Sequence, residues 1–159
     1  MSLQVKIIGS SHAGANVAFN LRRDGFEGDI EIISTESFPP YHRPPLSKDF
    51  LKGKTEKEKL AFKPEAFYAD NQITLTLDTE VLSIDQAAKT IETQQGTSAY
   101  DFLVLCTGSS PRKLDLDNAD LPEVLYLRDL QDAETIKAKL VDASHITLLG
   151  GGYIGLELA

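Results

Sequence analysis

The first 34 residues carry two apolar runs separated by a segment with helical spacing. Gln4–Ile8 and Asp29–Ser34 each predict a short strand. Between them, His12–Asp24 repeats apolar residues on one helical face, and Gly25 stands where a glycine commonly ends a helix. This order predicts a β-α-β unit, whose crossover should be right-handed.

From Ile73 onward the apolar residues follow the two-residue period of strands. Three short strands are predicted here, over Ile73–Leu77, Glu80–Asp85 and Lys89–Gln94. Phe102–Cys106 is continuously apolar, which is typical of a parallel strand buried on both faces. Farther on, Asp129 is predicted to cap a helix over Leu130–Val141, and Ile146–Leu149 is predicted to be a strand. The fold class is therefore α/β, a parallel sheet plus a small antiparallel β-meander.

The segment between these halves contains four of the chain's seven prolines, all within Thr35–Lys48. Each proline fixes its own φ and biases the preceding residue away from helix. We therefore expect a stiff loop, suited to residues that must hold one position. Asp49–Lys63 interleaves lysine with glutamate and is predicted to be partly helical.

Composition and charge exclude several classes of partner. The 159 residues are 42% hydrophobic and 25% charged, and no apolar window approaches the length of a membrane span. A net charge of −8 argues against nucleic acid, which needs clustered basic residues. The single Cys106 gives no support for an oxidising compartment, and no secretory signal precedes the first strand, so a cytoplasmic location is expected.

Gly9–Gly14 follows a strand and opens a helix, as a dinucleotide-binding turn requires. The first glycine allows a tight turn, the last lets helix and strand approach, and the helix N-terminus favours a pyrophosphate. Glu36, just past the second strand, suits an adenosine ribose. The candidate residues are Gly9, Ser11, His12, Ala13, Gly14 and Glu36. Ser11 replaces the usual middle glycine, and an ordinary strand–helix junction with a surface acid stays an alternative.

Gly150–Gly155 matches G-x-G-x-x-G without substitution, again after a predicted strand. Two such turns in one chain imply two dinucleotides, FAD and a nicotinamide nucleotide. The candidate residues here are Gly150, Gly152, Tyr153, Ile154 and Gly155. Because the chain ends at Ala159, within the first turns of the helix predicted after this turn, we expect the sequence to be the front part of a longer protein.

Pro40–Lys48 (PYHRPPLSK) resembles the P-Y-x-R-P-P-L-S-K motif of NAD(P)H-dependent, FAD-containing ferredoxin reductases. These flavoproteins belong to the pyridine nucleotide-disulfide oxidoreductase superfamily. Gly9–Gly14, Thr107–Arg112 and Gly150–Ala159 are also similar to that family, so the resemblance covers essentially the whole chain. It implies a Rossmann-like fold, with 1–112 as the N-terminal part of an FAD-binding domain and 113–159 as the incomplete start of an NAD(P)-binding domain.

The resemblance also implies roles for individual residues. Lys48 would lie beside the flavin N5 region as the catalytic cation, because a positive charge stabilises the reduced flavin. Arg43 would contact the FAD pyrophosphate or ribose. Further cofactor contacts are implied at Pro44, Val81, Thr107, Gly108 and Glu157. The alternative for Arg43 and Lys48 is a pair of solvent-facing charges on a rigid loop.

The implied activity is electron transfer from NAD(P)H through FAD to a two-iron ferredoxin that serves a P450 or Rieske-type oxygenase. A flavin-dependent disulfide reductase is disfavoured, because Cys106 is the only cysteine and lies within an apolar strand. Two alternatives stay open. One is a flavoprotein like apoptosis-inducing factor, whose role is not turnover. The other is that this piece, taken alone, retains little FAD and is inactive.

Overall fold

The computed structural model describes residues 2–159 of the chain. They divide into two compact units, each described here by itself. The first unit comprises the chain up to His42 together with Ala61–Gly108, and the second comprises Arg43–Leu60 with Ser109–Ala159. Within residues 2–159, no helix combines the length and apolar character that crossing a bilayer demands.

The first unit is built on a parallel sheet of four strands in the order β3-β2-β1-β7. The strands are β1 (Gln4–Ile8), β2 (Asp29–Ile33), β3 (Ile73–Thr76) and β7 (Phe102–Leu105). Two helices accompany them, α1 (His12–Arg23) and α2 (Glu65–Asp70). An antiparallel meander follows β3, with β4 (Val81–Asp85), β5 (Thr90–Thr93) and β6 (Gly96–Ala99). The predicted β-α-β unit, parallel sheet and meander are confirmed.

One apolar cluster holds the sheet and its helices together. The central strands are rich in isoleucine and valine, whose branched side chains suit a buried pleated surface. The cluster consists of Val5, Ile7, Ala18, Ile30, Ile32, Tyr68 and Ile73. Burying each of the large aliphatic side chains contributes about 1.5–3 kcal/mol. This core fixes the carboxyl ends of β1 and β2, from which the first glycine turn and Glu36 follow.

A single arginine joins the end of α1 to the starts of β2 and β3. The Arg22 guanidinium donates hydrogen bonds to the carbonyl oxygens of Phe26 and Gly28, at 2.6 and 2.7 Å. It also donates to the carbonyl oxygens of Asn71 and Gln72, both at 2.7 Å. The planar fork of donors thereby satisfies four carbonyls in the two turns that lead into these strands.

The sheet also carries a line of polar side chains. The Lys6 ammonium binds Oε2 of Glu31 on the neighbouring strand, and Lys6 is only 8% exposed. The Thr76 hydroxyl donates to Oε1 of the same carboxylate at 2.6 Å. Lys6 lies on the opposite face from Val5 and Ile7, because successive side chains of a strand alternate. Both carboxylate oxygens of Glu31 are therefore satisfied within the sheet.

Tyr68 gives a stability prediction. Its side chain lies in the core, and its hydroxyl has no hydrogen-bond partner among residues 2–159. We expect Tyr68→Phe to raise the free energy of unfolding by about 1 kcal/mol, because it removes an unsatisfied buried polar group. Chemical denaturation of both proteins at neutral pH measures this difference. An equal loss of stability would show that the hydroxyl does have a partner.

Alkaline titration gives Tyr68 a second test. Burial raises the pKa of Tyr68 from 10.0 to about 12. Because the folded-state pKa is the higher one, the associated stability is fully present below about pH 10 and is lost as the pH rises towards 12. The stability advantage of Tyr68→Phe should therefore widen above pH 10.

The second unit begins with a 3-10 helix over Pro44–Ser47, followed by another over Lys57–Leu60. Its α-helices are α3 (Leu130–Leu140) and α4 (Tyr153–Leu158). The predicted cap at Asp129 is confirmed as a capping box, in which Asp129 and Asp132 each accept the other's backbone N–H, at 2.9 and 3.2 Å. Lys57 binds the Glu134 carboxylate of α3 at 3.0 Å.

Five details differ from the sequence-based expectations. Ile146–Leu149 forms no strand, because no described segment pairs with it. β7 is not buried on both faces; within residues 2–159 it is an edge strand paired only with β1, so Phe102 and Leu105 are 56% and 61% exposed. Arg43 precedes a proline yet has helical dihedral angles, because its carbonyl accepts the Leu46 N–H of the 3-10 helix. Neither α2 nor β6 was predicted.

Candidate nucleotide-binding site

The first glycine turn brings three stretches of backbone into direct contact. Gly9 has φ of +108°, and a Cβ built there would lie 2.1 Å from the Cys106 carbonyl oxygen. A Cβ on Gly14 would lie 1.9 Å from the Gly9 carbonyl oxygen. No side chain fits at either position, since such distances are far inside van der Waals contact. The two outer glycines are thus required where β1, α1 and the end of β7 meet.

Ser11, at the position where glycine is usual, is accommodated without strain. It is the N-cap of α1, with φ of −83° and ψ of −165°, an extended conformation open to any residue. Its carbonyl accepts the Ala15 N–H at 3.0 Å and so begins the helix. His12 and Ala13 form the first turn of α1, where backbone N–H groups point out of the helix end and favour an anion.

Glu36 is fixed by a short chain of hydrogen bonds from the glycine turn. The buried Ser10 hydroxyl donates to the Ser34 hydroxyl at 2.7 Å, and the Ser34 oxygen accepts the Glu36 backbone N–H at 3.1 Å. The Glu36 carboxylate then accepts the Tyr41 hydroxyl at 2.6 Å. The predicted ribose-binding acid therefore has a defined position relative to the turn. Ser10, Ser34 and Tyr41 were not predicted.

Aromatic rings lie beside the start of α1. The Phe62 ring is 4.7 Å from the His12 ring and 4.5 Å from the His42 ring, both edge to face. The Phe62 N–H donates to the Pro40 carbonyl at 2.8 Å. The beginning of the proline loop is therefore held at the His12 end of the helix. Nothing in the sequence pattern links Phe62 to His12, fifty residues earlier.

Three predicted residues lie at strand ends in the first unit. Val81 begins β4, opposite Thr93 of β5, at a point where the register shifts. Thr107 and Gly108 directly follow Cys106, the residue after β7, and Gly108 has φ of +68°, a conformation that favours glycine. Burial raises the pKa of the Cys106 thiol. A neutral, partly buried thiol agrees with a packing role for this cysteine.

The second glycine turn repeats the geometry of the first. Gly150 has φ of +105°, and a Cβ on Gly155 would lie 2.3 Å from the Gly150 carbonyl oxygen. Gly152 is the N-cap of α4, and Tyr153 and Ile154 are its first two residues. Side chains at Gly151 or Gly152 would meet open space. Gly155 is therefore required for the same close approach as Gly14, whereas Gly150 is required only by its positive φ, because a Cβ there would meet nothing within 4 Å.

The proline loop places its charged residues within the second unit. The Arg43 guanidinium donates to the Arg128 carbonyl oxygen at 3.0 Å. Pro44 is exposed at the start of the 3-10 helix. The proposed contact of Arg43 with a pyrophosphate stays a prediction. The bond to Arg128 nevertheless shows that Arg43 is not simply a solvent-facing charge.

Lys48 and Glu157, 109 positions apart in the sequence, form an ion pair. The Lys48 ammonium lies 2.8 Å from Oε1 of Glu157, and the Ser47 hydroxyl donates to Oε2 at 2.5 Å. The hydrogen bonds from Lys48 and Ser47 lower the pKa of Glu157. The structure thus brings together two predicted residues whose pairing was not predicted. Ser47 was missed, although it lies inside the recognised loop motif.

Two equivalent glycine turns on an α/β scaffold define a Rossmann-type nucleotide-binding protein. The sequence model of the pyridine nucleotide-disulphide oxidoreductase family matches residues 3–159. The chain belongs to this family, which confirms the superfamily inferred from the loop motif.

Known relatives carry names of electron-transfer reductases. The chain is 43% identical over 158 residues to a rubredoxin-NAD(+) reductase of Pseudomonas putida. Among solved structures, the ferredoxin reductase for the CYP199A2 system of Rhodopseudomonas palustris is 41% identical, with a TM-score of 0.93 over 98% of this chain and 38% of that one. A covalent putidaredoxin reductase–putidaredoxin complex is 38% identical, with a TM-score of 0.90 and the same two coverages. The alignment with the rubredoxin reductase includes 99% of this chain, which therefore spans only 41% of that relative's length.

Proposed function

We propose that the protein carrying this chain is an FAD-dependent reductase that passes electrons from NAD(P)H to a two-iron ferredoxin. The observation that carries the proposal is the pair of equivalent glycine turns in a chain that also holds the proline loop with its Lys48 cation. The ferredoxin would serve a P450 or Rieske-type oxygenase, as the names of the relatives suggest. We also propose a cytoplasmic location, in keeping with the single cysteine.

The first glycine turn would hold FAD. The N-terminal end of α1 would face the pyrophosphate, and Glu36 presents a carboxylate suited to ribose hydroxyls. Val81, Thr107 and Gly108 would add backbone contacts. When bound, FAD accepts a hydride from NAD(P)H and gives up electrons singly. We propose residues 1–112 as the N-terminal part of the FAD-binding domain.

The second glycine turn would hold the nicotinamide nucleotide, with 113–159 as the start of that domain. Gly150 and Gly152 leave the backbone open to a pyrophosphate, and Gly155 allows α4 to approach the turn closely. The Lys48 ammonium would stabilise the negative charge that develops on the flavin. Glu157 holds the Lys48 ammonium in one place through their ion pair. Neither residue needs to transfer a proton in this scheme.

A rubredoxin is the second candidate acceptor, because the relative with 43% identity is named a rubredoxin reductase. Stopped-flow mixing of the full-length flavoprotein with NADH, followed by a two-iron ferredoxin or a rubredoxin, separates the candidates. The proposal expects fast flavin reduction and rapid reoxidation by the ferredoxin. Preferential reoxidation by rubredoxin would identify rubredoxin, and not a ferredoxin, as the electron acceptor. A colourless protein indifferent to FAD, or slow turnover with a lasting charge-transfer band, would contradict the reductase function.

Lys48→Ala tests the proposed flavin-facing cation. We expect the single-turnover rate of flavin reduction to fall about tenfold or more, since removing one electrostatic stabiliser typically has at least this effect. FAD affinity should change less than the rate. Lys52→Ala, an exposed lysine of the same segment, is the matched control. An unchanged reduction rate in Lys48→Ala would remove Lys48 from the mechanism.

A further inference from the structure

The Glu157 carboxylate is held by two adjacent residues of the proline loop. Ser47 is 7% exposed, whereas the Lys48 side chain is 50% exposed. The Ser47 hydroxyl donates to Oε2 at 2.5 Å, and the Lys48 ammonium lies 2.8 Å from Oε1. Each oxygen of the carboxylate thus has its own donor. The two donors differ in how firmly they are fixed.

Ser47 is the more rigid of the two. It ends the 3-10 helix that begins with Pro44 and Pro45, so its backbone is set by two fixed φ angles. The Pro45 carbonyl accepts the Lys48 and Phe50 N–H groups at 3.0 and 3.1 Å, which closes the turn around it. Lys48 reaches Glu157 through a long, half-exposed side chain with several rotatable bonds. The position of the carboxylate is therefore determined by the serine.

From this geometry we infer that Ser47 is a positioning residue, which locks the Glu157 carboxylate beside Lys48 and so ties the helix after the second glycine turn to the proline loop. The inference rests on the proposed function for its catalytic consequence. Without the Ser47 hydroxyl, Oε2 loses its buried donor and the carboxylate is free to rotate. Because the Lys48 ammonium is paired with this carboxylate, it then occupies several positions, and its fixed orientation toward the flavin is lost.

Three substitutions at Ser47 separate positioning from packing. Ser47→Ala removes the hydroxyl, Ser47→Thr restores it, and Ser47→Cys keeps the size with a weak donor. Ser98→Ala is the matched control, since Ser98 is an exposed serine on β6. Glu157→Gln assigns the carboxyl carbon of Glu157 in the NMR spectrum of the full-length protein. The first readout is the pH titration of that carbon.

The second readout is the rate of flavin reduction by NADH. We expect Ser47→Ala to move the Glu157 titration upward, because one of the two hydrogen bonds that lower its pKa is gone. The reduction rate should fall about tenfold or more, the effect expected from losing one hydrogen bond to a charged group. Ser47→Thr should return both quantities to the wild-type values. Ser47→Cys should give intermediate values and covers the case in which the alanine variant fails to fold.

The two proposals fail in different ways. An unchanged Glu157 titration in Ser47→Ala and Ser47→Cys would overturn the positioning role, whatever the flavin does. A shifted titration with an unchanged reduction rate would overturn the catalytic consequence of that role. A wild-type protein without FAD reduction would contradict the reductase function, while the titration would still decide whether Ser47 fixes Glu157.

Discussion

Replacing Gly14 with alanine is expected to destabilise the first unit by about 3 kcal/mol or more and to abolish saturable FAD binding. The new Cβ would lie 1.9 Å from the Gly9 carbonyl oxygen and 3.2 Å from the Cγ2 of Ile7. Both neighbours are fixed, one by the backbone of the turn and the other by the core, so α1 must move away from β1. Denaturant unfolding and FAD titration measure the two effects.

Gly25→Ala is the matched control for Gly14→Ala. Gly25 has φ of +86°, but its Cβ would meet nothing within 4 Å. The substitution therefore carries backbone strain without a collision, worth about 1 kcal/mol, and leaves FAD binding unchanged. If both variants lost the same stability and both kept FAD, close packing at Gly14 would not be what the turn requires.

Gly155→Ala should weaken binding of the nicotinamide nucleotide about thirtyfold or more while FAD is retained. Its Cβ would lie 2.3 Å from the Gly150 carbonyl oxygen, the same conflict that Gly14 avoids in the first turn. A shift of α4 would displace the backbone N–H groups proposed to face the pyrophosphate. A loss of about 2 kcal/mol corresponds to this change in affinity. Equilibrium titration of the full-length flavoprotein with NADH gives the dissociation constant.

Gly151→Ala provides the comparison within the same turn. A side chain at Gly151 meets open space, and its φ is not positive. We expect its nucleotide affinity to stay within about threefold of wild type, since surface substitutions usually change free energies by less than about 0.5 kcal/mol. Equal weakening by Gly151→Ala and Gly155→Ala would refute the close-approach explanation.

The elements that the sequence predicted well are those specified by local pattern. β1 matches its predicted bounds, and α1 begins at His12 as expected, because apolar periodicity and a glycine turn act over a few residues. The Asp129 cap was predicted for the same reason. Both glycine turns were identified because their outer positions have a backbone geometry that only glycine satisfies.

The remainder depended on partners distant in sequence. β6 has the sequence GTSA and no apolar pattern, so it exists only through pairing with β5. Ile146–Leu149 has the pattern of a strand but no paired neighbour among the described residues. The bond between Ser47 and Glu157 spans 110 positions, and no local signal reports such a contact. Motif recognition located the loop, whereas only the structure showed which side chains it holds.

The buried ammonium of Lys6 has a consequence for how the chain avoids misfolding. Sliding β1 by one residue along β2 would turn its side chains to the opposite face and move the ammonium away from the Glu31 carboxylate. An uncompensated buried charge costs several kcal/mol. The shifted pairing is therefore less stable than the native one, even where its apolar residues are still buried. The ion pair between Lys6 and Glu31 thus specifies the register of two strands whose isoleucine-rich sequences would otherwise tolerate slippage.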